Sequence, residues 1–502
     1  MRIPSKSLLK INTASALILQ GLTMISGIIL PRLILQAFGS ETNGLISSIS
    51  QFLSYITLME AGTGSVMKAA MFKPLVEGNN QKLSAVINDS RRFFKGIAYV
   101  FLAYTIILSI TYPFISKDNS FSYDYIFWMV LILGINSFAQ YYFGLTYQLL
   151  LQADQKIYFV NILQIFTLIA NVVFCTLLIQ LDVSIHIVKL TTVVVFLFRP
   201  LIINLYVKKN YTLYSKEPPD KTLTKQRWDG FAHHIAYFIH RNTDIAILTV
   251  FANLSEISVY SVYNMVVNAV QGLISPFSGS VTSKFGELFA KGDKHRLTSV
   301  FGQYETFSFN FATIIYTVAS IMIVPFIQIY THGINDANYS RYIFGGLIVF
   351  AEFMYAIRGP YSNLIFAVGE FKGTRLGAFI ESGLNIVLSL SLVHWFGLIG
   401  VAIGTMAAMS FRTIDYAVYL SKHVLNRPLR HFIKHLTLSI MAYAFGYSIC
   451  SWLILPLFVF THLGWWIVCA IITTTVCILL LCVIQFIFNR KDFLYSFKFF
   501  SN

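Results

Sequence analysis

The stretch "IHIVKLTTVVVFLFRPLIINLYV" (185–207) decides the fold class of this protein. Its apolar residues follow one another without alternation, and at 1.5 Å per residue it is long enough to cross a hydrocarbon core about 30 Å thick. Because backbone groups in lipid must be hydrogen-bonded within the segment, the stretch is predicted to be a membrane-spanning helix. Arg199 lies inside it, where a cation raises the free energy of insertion by roughly 2.5 to 3.5 kcal/mol.

The whole chain has the same character. Of its 502 residues, 56% are hydrophobic and only 12% are charged, whereas soluble domains carry about 25% charged residues. We therefore predict an all-α polytopic membrane protein with about fourteen transmembrane helices. The predicted spans are 12–37, 43–70, 93–116, 125–151, 157–181, 185–207, 229–252, 257–290, 298–331, 340–368, 376–396, 398–421, 436–460 and 464–488.

Lysine and arginine residues are distributed unevenly between the two sides of this layout. Longer basic breaks alternate with short ones, and the opposite side has only Lys117 and Arg341. Since positively charged loops stay in the cytoplasm, both termini are predicted to be cytoplasmic. The bias accounts for most of the net charge of +15, so no nucleic-acid partner is needed to explain that charge.

The two halves of the chain resemble each other in sequence. Five pairs of short matches recur at a nearly constant spacing of about 213 to 215 positions, as expected for an internal repeat. Because each repeat contains six spans, both halves enter the membrane in the same direction, and we predict two six-helix lobes related by a pseudo-twofold axis along the membrane normal. The matches are "GSETNG" (39–44) with "NLSEISVY" (253–260), "GTGSVMK" (62–68) with "FSGSVTSK" (277–284), "EGNNQKL" (77–83) with "KGDKHRL" (291–297), "IANVVF" (169–174) with "GLNIVL" (383–388), and Arg199 with Arg412.

The repeat predicts the domain organisation. Residues 1–207 form the N-lobe with helices 1–6, and residues 208–228, which contain Pro218-Pro219, form a cytoplasmic linker. Residues 229–421 form the C-lobe with helices 7–12, and residues 422–502 contain helices 13 and 14 and a cytoplasmic tail. In parallel-repeat transporters the substrate site lies between the halves, and one half rocks against the other.

Apart from the cations already assigned to the two sides, seven cationic residues remain within the predicted spans, namely Arg32, Lys68, Lys189, Arg199, Arg241, Arg358 and Arg412. Lys68 and Lys189 lie near span ends, from which a long side chain reaches the interface. Arg199 and Arg412 lie about nine residues, or roughly 13 Å, from their cytoplasmic ends, close to the midplane. Arg199 and Arg358 have no acidic residue three or four positions away, so a bound anion such as a phosphate fits them. The candidate substrate-binding residues are Arg199, Arg412, Arg358, Arg241, Arg32 and Lys68.

Carboxylates within the spans allow a second interpretation, in which the cations form structural ion pairs. Arg241–Asp244 and Arg412–Asp415 have the i,i+3 spacing of helical pairs, and Glu381 is a further available partner. A carboxylate could also hold a coupling cation or a proton. The candidates for these roles are Asp244, Glu352, Asp415 and Glu60.

Two polar stretches interrupt the apolar pattern, "NSFAQYYFGLTYQ" (136–148) and "SVYNMVVNAVQG" (261–272). Such residues either join helices through hydrogen bonds or line a hydrated cavity suited to a sugar head group. Spans two and eight also carry residues that permit bending or close packing. These are Gly62, Gly64, Gly272, Pro276 and Gly279.

The five cysteines lie in apolar runs, without a CxxC pair or a His-rich tract. This pattern is typical of small buried hydrophobic residues. The sequence therefore predicts no metal site, and it predicts no cofactor.

With these features assembled, the chain resembles the polysaccharide flippases of the multidrug/oligosaccharidyl-lipid/polysaccharide exporter superfamily. The resemblance covers the whole chain and is clearest in "LPRLILQAFGSETNGLISSISQFLSYITLMEAG" (30–62), which is similar to the first helical hairpin of O-antigen, capsule or exopolysaccharide repeat-unit flippases. It implies a V-shaped two-lobed cavity and alternating access. It also implies export of an undecaprenyl-diphosphate-linked oligosaccharide to the outer leaflet of the bacterial cytoplasmic membrane.

The resemblance transfers no site residue, because the family has no tight catalytic motif. As partners it implies the lipid-linked oligosaccharide, membrane lipids, and the polysaccharide polymerase and glycosyltransferases of the same pathway. The alternatives are a drug or cation antiporter of the same superfamily, a membrane enzyme such as a polysaccharide polymerase or a lipid-linked glycosyltransferase, and a channel. The longest outer loops, 117–124 and 332–339, are too short to house chemistry, and no HExxH or Walker motif is present. A non-enzyme is therefore favoured.

Overall fold

The computed structural model describes residues 5–60, 63–118, 120–214, 217–218, 231–274 and 276–496, and that part of the chain contains no β-strand. Its eighteen α-helices are α1 Ser5–Ser54, α2 Thr57–Glu60, α3 Thr63–Glu77, α4 Asn80–Ile115, α5 Tyr123–Ala139, α6 Leu145–Ala153, α7 Ile157–Gln180, α8 Ile185–Asn210, α9 Phe231–Phe251, α10 Leu254–Ile274, α11 Pro276–Ala290, α12 Lys294–Tyr330, α13 Tyr342–Val368, α14 Phe371–Phe396, α15 Leu398–His423, α16 Arg430–Ile449, α17 Leu463–Phe488 and α18 Arg490–Ser496. Two π-helical segments, Gln140–Gly144 and Cys450–Ile454, and a 3-10 turn, Leu455–Leu457, complete these elements.

Twelve helical segments in the described ranges are long and apolar enough to cross a membrane. One of them, Lys10–Glu60, covers the first predicted span and part of the second, and α1 is interrupted by non-helical backbone at Gly39. The seventh predicted span corresponds to α9, of which Asn242–Phe251 is a shorter apolar helix. The prediction of an all-α, multi-pass membrane protein is confirmed.

The second and eighth predicted spans are not continuous helices. The second consists of the end of α1, the short α2 and then α3, and the eighth is divided into α10 and α11. These interruptions lie where the sequence places its bend-permitting glycine and proline residues, in equivalent positions of the two repeats. Residues 61–62 and 275, at the breaks themselves, lie outside the described residues.

The chain forms two compact units. The first comprises Met1–Phe238 with Ala252–Ser258, and the second comprises Ile239–Phe251 with Val259–Asn502. In the second unit α12 packs against α13, α16, α17 and α18, so helices 13 and 14 of the predicted layout are joined to the second unit. Of the predicted linker 208–228, only 208–214 and 217–218 are described.

The described start of the linker docks on α4 within the first unit. The Tyr214 amide donates to Ser84 Oγ at 2.9 Å, and Asn88 Nδ2 donates to the carbonyl oxygens of Tyr214 at 3.0 Å and Glu217 at 3.1 Å. These bonds satisfy backbone groups that have no helical partner. They hold this extended segment against the first unit.

Segments 39–44 and 252–258, both in the first unit, lie against each other. Asn43 Nδ2 donates to Ser258 Oγ at 2.8 Å across 215 positions, the spacing of the repeat. A Cβ atom on Gly44 would lie 1.8 Å from the Leu254 carbonyl oxygen. Only glycine therefore permits this approach.

Asp118, in the loop between α4 and α5, contacts the segment 252–258. Its carboxylate accepts the Leu254 amide, which belongs to the first turn of α10, at 3.0 Å. Partial burial opposes ionisation of Asp118, but hydrogen bonds from Ser120 and from the Leu254 amide hold the pKa of this carboxyl below its ordinary value. The contact is therefore made by an ionised aspartate at neutral pH.

Candidate functional site

A cavity of 480 Å³ lies in the first unit. The end of α1, α2, α5 with the π-helical segment, and α8 form its walls. Its volume is in the range of small-molecule sites, about 300 to 1,000 Å³. The polar side chains that characterise its lining are Glu60, Asn136, Gln140, Tyr141, Lys189 and Thr192.

The π-helical segment Gln140–Gly144 shapes this wall. A π-helical turn inserted into an α-helix is rare and occurs frequently at functional sites. Here it carries Gln140 and Tyr141 in the cavity lining, and it ends at Gly144, where a Cβ atom would lie 3.1 Å from Pro200 Cβ. The polar stretch 136–148 thus contributes directly to a cavity, one of its two roles anticipated from the sequence.

Two side chains of opposite charge line the cavity. Glu60 at the end of α2 accepts a hydrogen bond from the Tyr141 hydroxyl at 3.0 Å. Lys189 on α8 also lines this space, although its sequence position also suited a side chain reaching to the membrane interface. A carboxylate, an ammonium group and several amides and hydroxyls therefore face one space within an otherwise apolar helical unit.

A second, smaller cavity of 90 Å³ shares Asn136 and Gln140 with the first. Gln148, Gln164 and Arg199 complete its polar lining. Because the two spaces share lining residues, we call the smaller one the side cavity. It is lined by Arg199, one of the two cations that the sequence placed close to the membrane midplane.

Arg199 is held firmly but incompletely satisfied. Its Nε donates to Thr167 Oγ1 at 2.5 Å, and its Cζ lies 3.9 Å from the centre of the Phe196 ring. Its buried Nη2 has no hydrogen-bond partner among the described residues. No carboxylate of the described part of the chain forms an ion pair with this arginine.

Arg358 and Arg412 have a different environment, in the second unit. Arg358 Nη1 lies 2.6 Å from Glu381 Oε1. Arg412 is 2% exposed, and its Nη1 lies 2.7 Å from Asp415 Oδ2 while its Nε lies 3.4 Å from Glu381 Oε2. Two arginines and two carboxylates thus form one neutral network. The i,i+3 spacing anticipated the pair of Arg412 with Asp415, whereas the partner of Arg358 comes from a neighbouring helix.

Among the described residues, the lining of the two cavities includes none of the remaining predicted cations, which are Arg32, Lys68 and Arg241. Arg32 is half-buried on α1 and Lys68 is half-buried on α3. Neither residue belongs to the lining of the 480 Å³ cavity or of the side cavity. The side chain of Arg241 lies outside the described residues. Their predicted role in substrate binding stays a prediction.

Asp244 lies in a buried group of oxygen atoms in the second unit. Its Oδ2 accepts hydrogen bonds from the Tyr260 hydroxyl and from Thr405 Oγ1, each at 2.9 Å. Asn385 Nδ2 donates to the same threonine at 2.9 Å. Asp244 Oδ1 and Asn385 Oδ1 are buried without a hydrogen-bond partner among the described residues. A carboxylate with amide and hydroxyl oxygens has the chemistry that hard cations prefer.

The other candidate carboxylates divide between the two units. Glu60 lines the cavity of the first unit, whereas Asp415 is engaged with Arg412 and Glu352 is half-buried on α13. No group of three or more His, Cys, Asp or Glu residues among the described positions is arranged to hold a metal ion. Four of the five cysteines are buried.

Sequence reasoning missed a second buried ion pair. Glu305 on α12 is 0% exposed, lies 2.5 Å from Arg427 Nη2 and also accepts a hydrogen bond from the Tyr361 hydroxyl. The available signal was a glutamate within the apolar span 298–331. Arg427 lies far from Glu305 in the chain, in the break between the predicted spans 398–421 and 436–460, so the pair could not be recognised from spacing.

No protein-family model matches this sequence, and no curated protein matches it. Among solved structures, the fold is similar to that of the lipid II flippase MurJ in an inward closed conformation, with a TM-score of 0.69, 14% sequence identity, and coverage of 96% of this chain and 99% of that chain. An inward-facing multidrug resistance MATE family transporter has a TM-score of 0.60 at 13% identity, covering 80% of this chain and 95% of that one. An outward-facing transporter of the same description has a TM-score of 0.51 at 14% identity, covering 81% and 93%. The chain therefore has the two-lobed helical fold that is seen in a lipid flippase and in MATE transporters.

Proposed function

We propose that this protein is a flippase that moves an undecaprenyl-diphosphate-linked oligosaccharide from the inner to the outer leaflet of a bacterial cytoplasmic membrane by alternating access. The observation that carries the proposal is the polar cavity of the first unit, with Arg199 unpaired by any carboxylate in its side cavity. The likeness to a lipid II flippase over nearly the whole chain supports it.

The cavity chemistry matches the parts of such a cargo. A lipid-linked oligosaccharide has an apolar tail that stays in lipid and a head group that must leave water. Amide and hydroxyl side chains such as Asn136, Gln140 and Thr192 replace water at sugar hydroxyls. Lys189 and Arg199 offer positive charge to the phosphates. The head group then crosses without being exposed to hydrocarbon.

We propose that Asp244 holds the coupling cation or proton. Its group of buried oxygens lies in the second unit. A cation bound there would neutralise a carboxylate that otherwise lies buried with one unpartnered oxygen.

The remaining assignments belong to the same proposal. We propose that both termini and the linker lie in the cytoplasm, which the distribution of lysine and arginine supports. In the pathway, glycosyltransferases that assemble the lipid-linked unit would supply the cargo, and a polymerase would consume it.

A second candidate function, transport of a cationic drug, is favoured by one observation. Glu60 places a carboxylate in the 480 Å³ cavity, and a carboxylate attracts cationic compounds. The likeness to a MATE family transporter, which covers 80% of this chain, is compatible with this alternative.

One experiment separates the two candidates. Purified protein is reconstituted in liposomes and tested with an undecaprenyl-diphosphate oligosaccharide and, in parallel, with a cationic dye. We expect the lipid-linked cargo to be flipped, Arg199→Ala to abolish flipping, and the exposed-site control Arg296→Ala to retain it. Dye transport that requires Glu60, with no flipping of the lipid, would contradict the proposal and favour the drug transporter.

A further inference from the structure

We infer that the side cavity is a subsite for a single oxyanion group of the cargo, with Arg199 as its charged residue. This inference rests on the proposed function, which it deepens by assigning a chemical class to one part of the site. In the sequence, Arg199 and Arg358 both lack an acidic residue three or four positions away. Only the structure separates them, because Arg358 pairs with Glu381 and Arg199 pairs with no carboxylate of the described residues.

The orientation of the guanidinium is already set before any ligand arrives. The bond from Nε to Thr167 fixes one edge of the group, and the Phe196 ring covers one face at 3.9 Å. Nη2 is left buried without a hydrogen-bond partner. A donor that is fixed in place and unsatisfied is arranged to bind an acceptor from outside the protein.

The size of the side cavity limits what that acceptor is. Its volume of 90 Å³ is about a fifth of the 480 Å³ of the neighbouring cavity. The smaller space suits a compact group such as a carboxylate or a phosphate, and the larger one suits a sugar ring with its hydroxyl groups. The ring therefore belongs in the 480 Å³ cavity, which shares Asn136 and Gln140 with the side cavity.

The lining selects a negative group. Four primary amides, from Asn136, Gln140, Gln148 and Gln164, lie around Arg199, and no carboxylate belongs to this lining. A guanidinium presents parallel N–H groups that match an oxyanion, and amide N–H groups donate to the remaining oxygens. Glu60, by contrast, lines only the larger cavity.

Two parts of the cargo carry such a group. One is the diphosphate that links the sugar to the lipid, and the other is a carboxylate or phosphate substituent on an acidic sugar. Both present the same chemistry to Arg199, so the experiment needs one arm that detects oxyanion binding and one that identifies its source.

The binding arm uses purified protein and inorganic phosphate as the probe. Thermal unfolding is followed against phosphate concentration at constant ionic strength, with chloride as the reference anion. We expect phosphate to stabilise the unaltered protein in a saturable manner. In Arg199→Gln the phosphate affinity should be about ten- to a hundredfold lower, the change expected for the loss of charge-assisted hydrogen bonds. Arg199→Lys keeps the charge but loses the paired N–H groups of the guanidinium, so its phosphate affinity should lie between those of the unaltered protein and Arg199→Gln. The control Arg296→Gln should bind phosphate with the affinity of the unaltered protein.

Equal phosphate affinity in Arg199→Gln and in the unaltered protein would overturn the inference. The unfolding temperatures without phosphate show whether either variant is misfolded, and Arg199→Lys provides a second reading if Arg199→Gln is. This arm requires no transport, so its outcome is independent of the proposed function.

The source arm compares flipping of two diphosphate-linked cargoes that differ only in a uronic acid carboxylate on the sugar. A loss in Arg199→Gln restricted to the acidic cargo assigns the subsite to the sugar substituent, and an equal loss with both cargoes assigns it to the diphosphate. Unchanged flipping of both would overturn the inference. Failure of the unaltered protein to flip either cargo would instead count against the proposed function.

Discussion

Glu381 lies between two arginines of the second unit and is their shared partner. It is 2.6 Å from Arg358 and 3.4 Å from Arg412, and all three side chains are buried. Gly377 leaves the room for this network, since a Cβ atom there would lie 2.2 Å from Arg412 Nη1. The buried charges balance one another, so the removal of any one member would leave a buried charge without compensation.

We expect Glu381→Gln to destabilise the second unit strongly. Removing one partner of a buried pair leaves an uncompensated charge and typically raises the free energy of the folded state by about 3 to 5 kcal/mol. Thermal unfolding of the detergent-purified variant measures the effect. Glu77→Gln, which removes an exposed i,i+4 pair with Lys73, is the matched control and should change stability by less than about 1 kcal/mol. Similar unfolding temperatures for both variants would contradict this account of the network.

Asp244→Asn tests the proposed cation or proton site. The amide keeps the size of the side chain but loses the charge, so stabilisation by a bound cation should disappear. At a concentration about a hundredfold above its Kd, a bound ion stabilises the folded protein by about 2.7 kcal/mol. Unfolding is compared in sodium and in choline at several pH values, with the exposed-site variant Asp182→Asn as control. Unaltered dependence on both sodium and pH in Asp244→Asn would exclude this residue as the coupling site.

At the scale of the elements, the contact between segments 39–44 and 252–258 sets a strict requirement on one residue. Gly44→Ala places a methyl group 1.8 Å from the Leu254 carbonyl oxygen, an approach that the backbone must move to relieve. We expect the free energy of unfolding to fall by more than the roughly 1 kcal/mol typical of point substitutions, and the unfolding temperature to fall with it. Gly27→Ala, in the part of α1 before the interruption at Gly39 and with nothing within 4 Å of the added atom, should not destabilise the protein. Equal behaviour of the two variants would show that the segments separate readily.

At the scale of the whole molecule, the charge distribution predicts the orientation in the membrane. Ser120 and Asn210 are both exposed and lie in breaks assigned to opposite sides. In a protein without its native cysteines, Ser120→Cys should react with an impermeant thiol reagent on intact cells. Asn210→Cys should react only after permeabilisation. Labelling of Asn210→Cys from outside would reverse the topology.

The proposed cargo also makes transport sensitive to voltage. Its diphosphate is negative and moves outward from a negative interior, which lowers the free energy by about 2.3 kcal/mol per elementary charge per 100 mV. We expect flipping in proteoliposomes to accelerate under an inside-negative potassium–valinomycin potential, with sodium and pH equal on both sides. The reversed potential is the control. A rate that is the same under both polarities would remove the membrane potential as a driving force.

The membrane class and the positions of most helices could be predicted from the sequence, which also marks bend-permitting residues in spans two and eight. That each of these two spans is divided into separate helices was not predicted. The predicted features depend on local properties, namely continuous apolar runs, basic breaks and bend-permitting residues such as Gly64 and Pro276. The pair of Arg412 with Asp415 was also accessible, because residues three apart on one helix are neighbours. The repeat is visible in the sequence because short matches recur at a nearly constant spacing. Asn43 and Ser258, which contact each other, are 215 positions apart, which is the spacing of the repeat.

Only the tertiary structure decided which buried charges are paired. Arg358 forms an ion pair with Glu381 on another helix, and Glu305 forms one with Arg427, which is far away in the chain. Arg199 is hydrogen-bonded to a threonine and lines a cavity with amide side chains, and no carboxylate belongs to that lining. Lys189 lines a cavity that its place in the sequence did not require. Local spacing determines which residues share a face of one helix, whereas the faces that meet are set by packing between helices far apart in the chain.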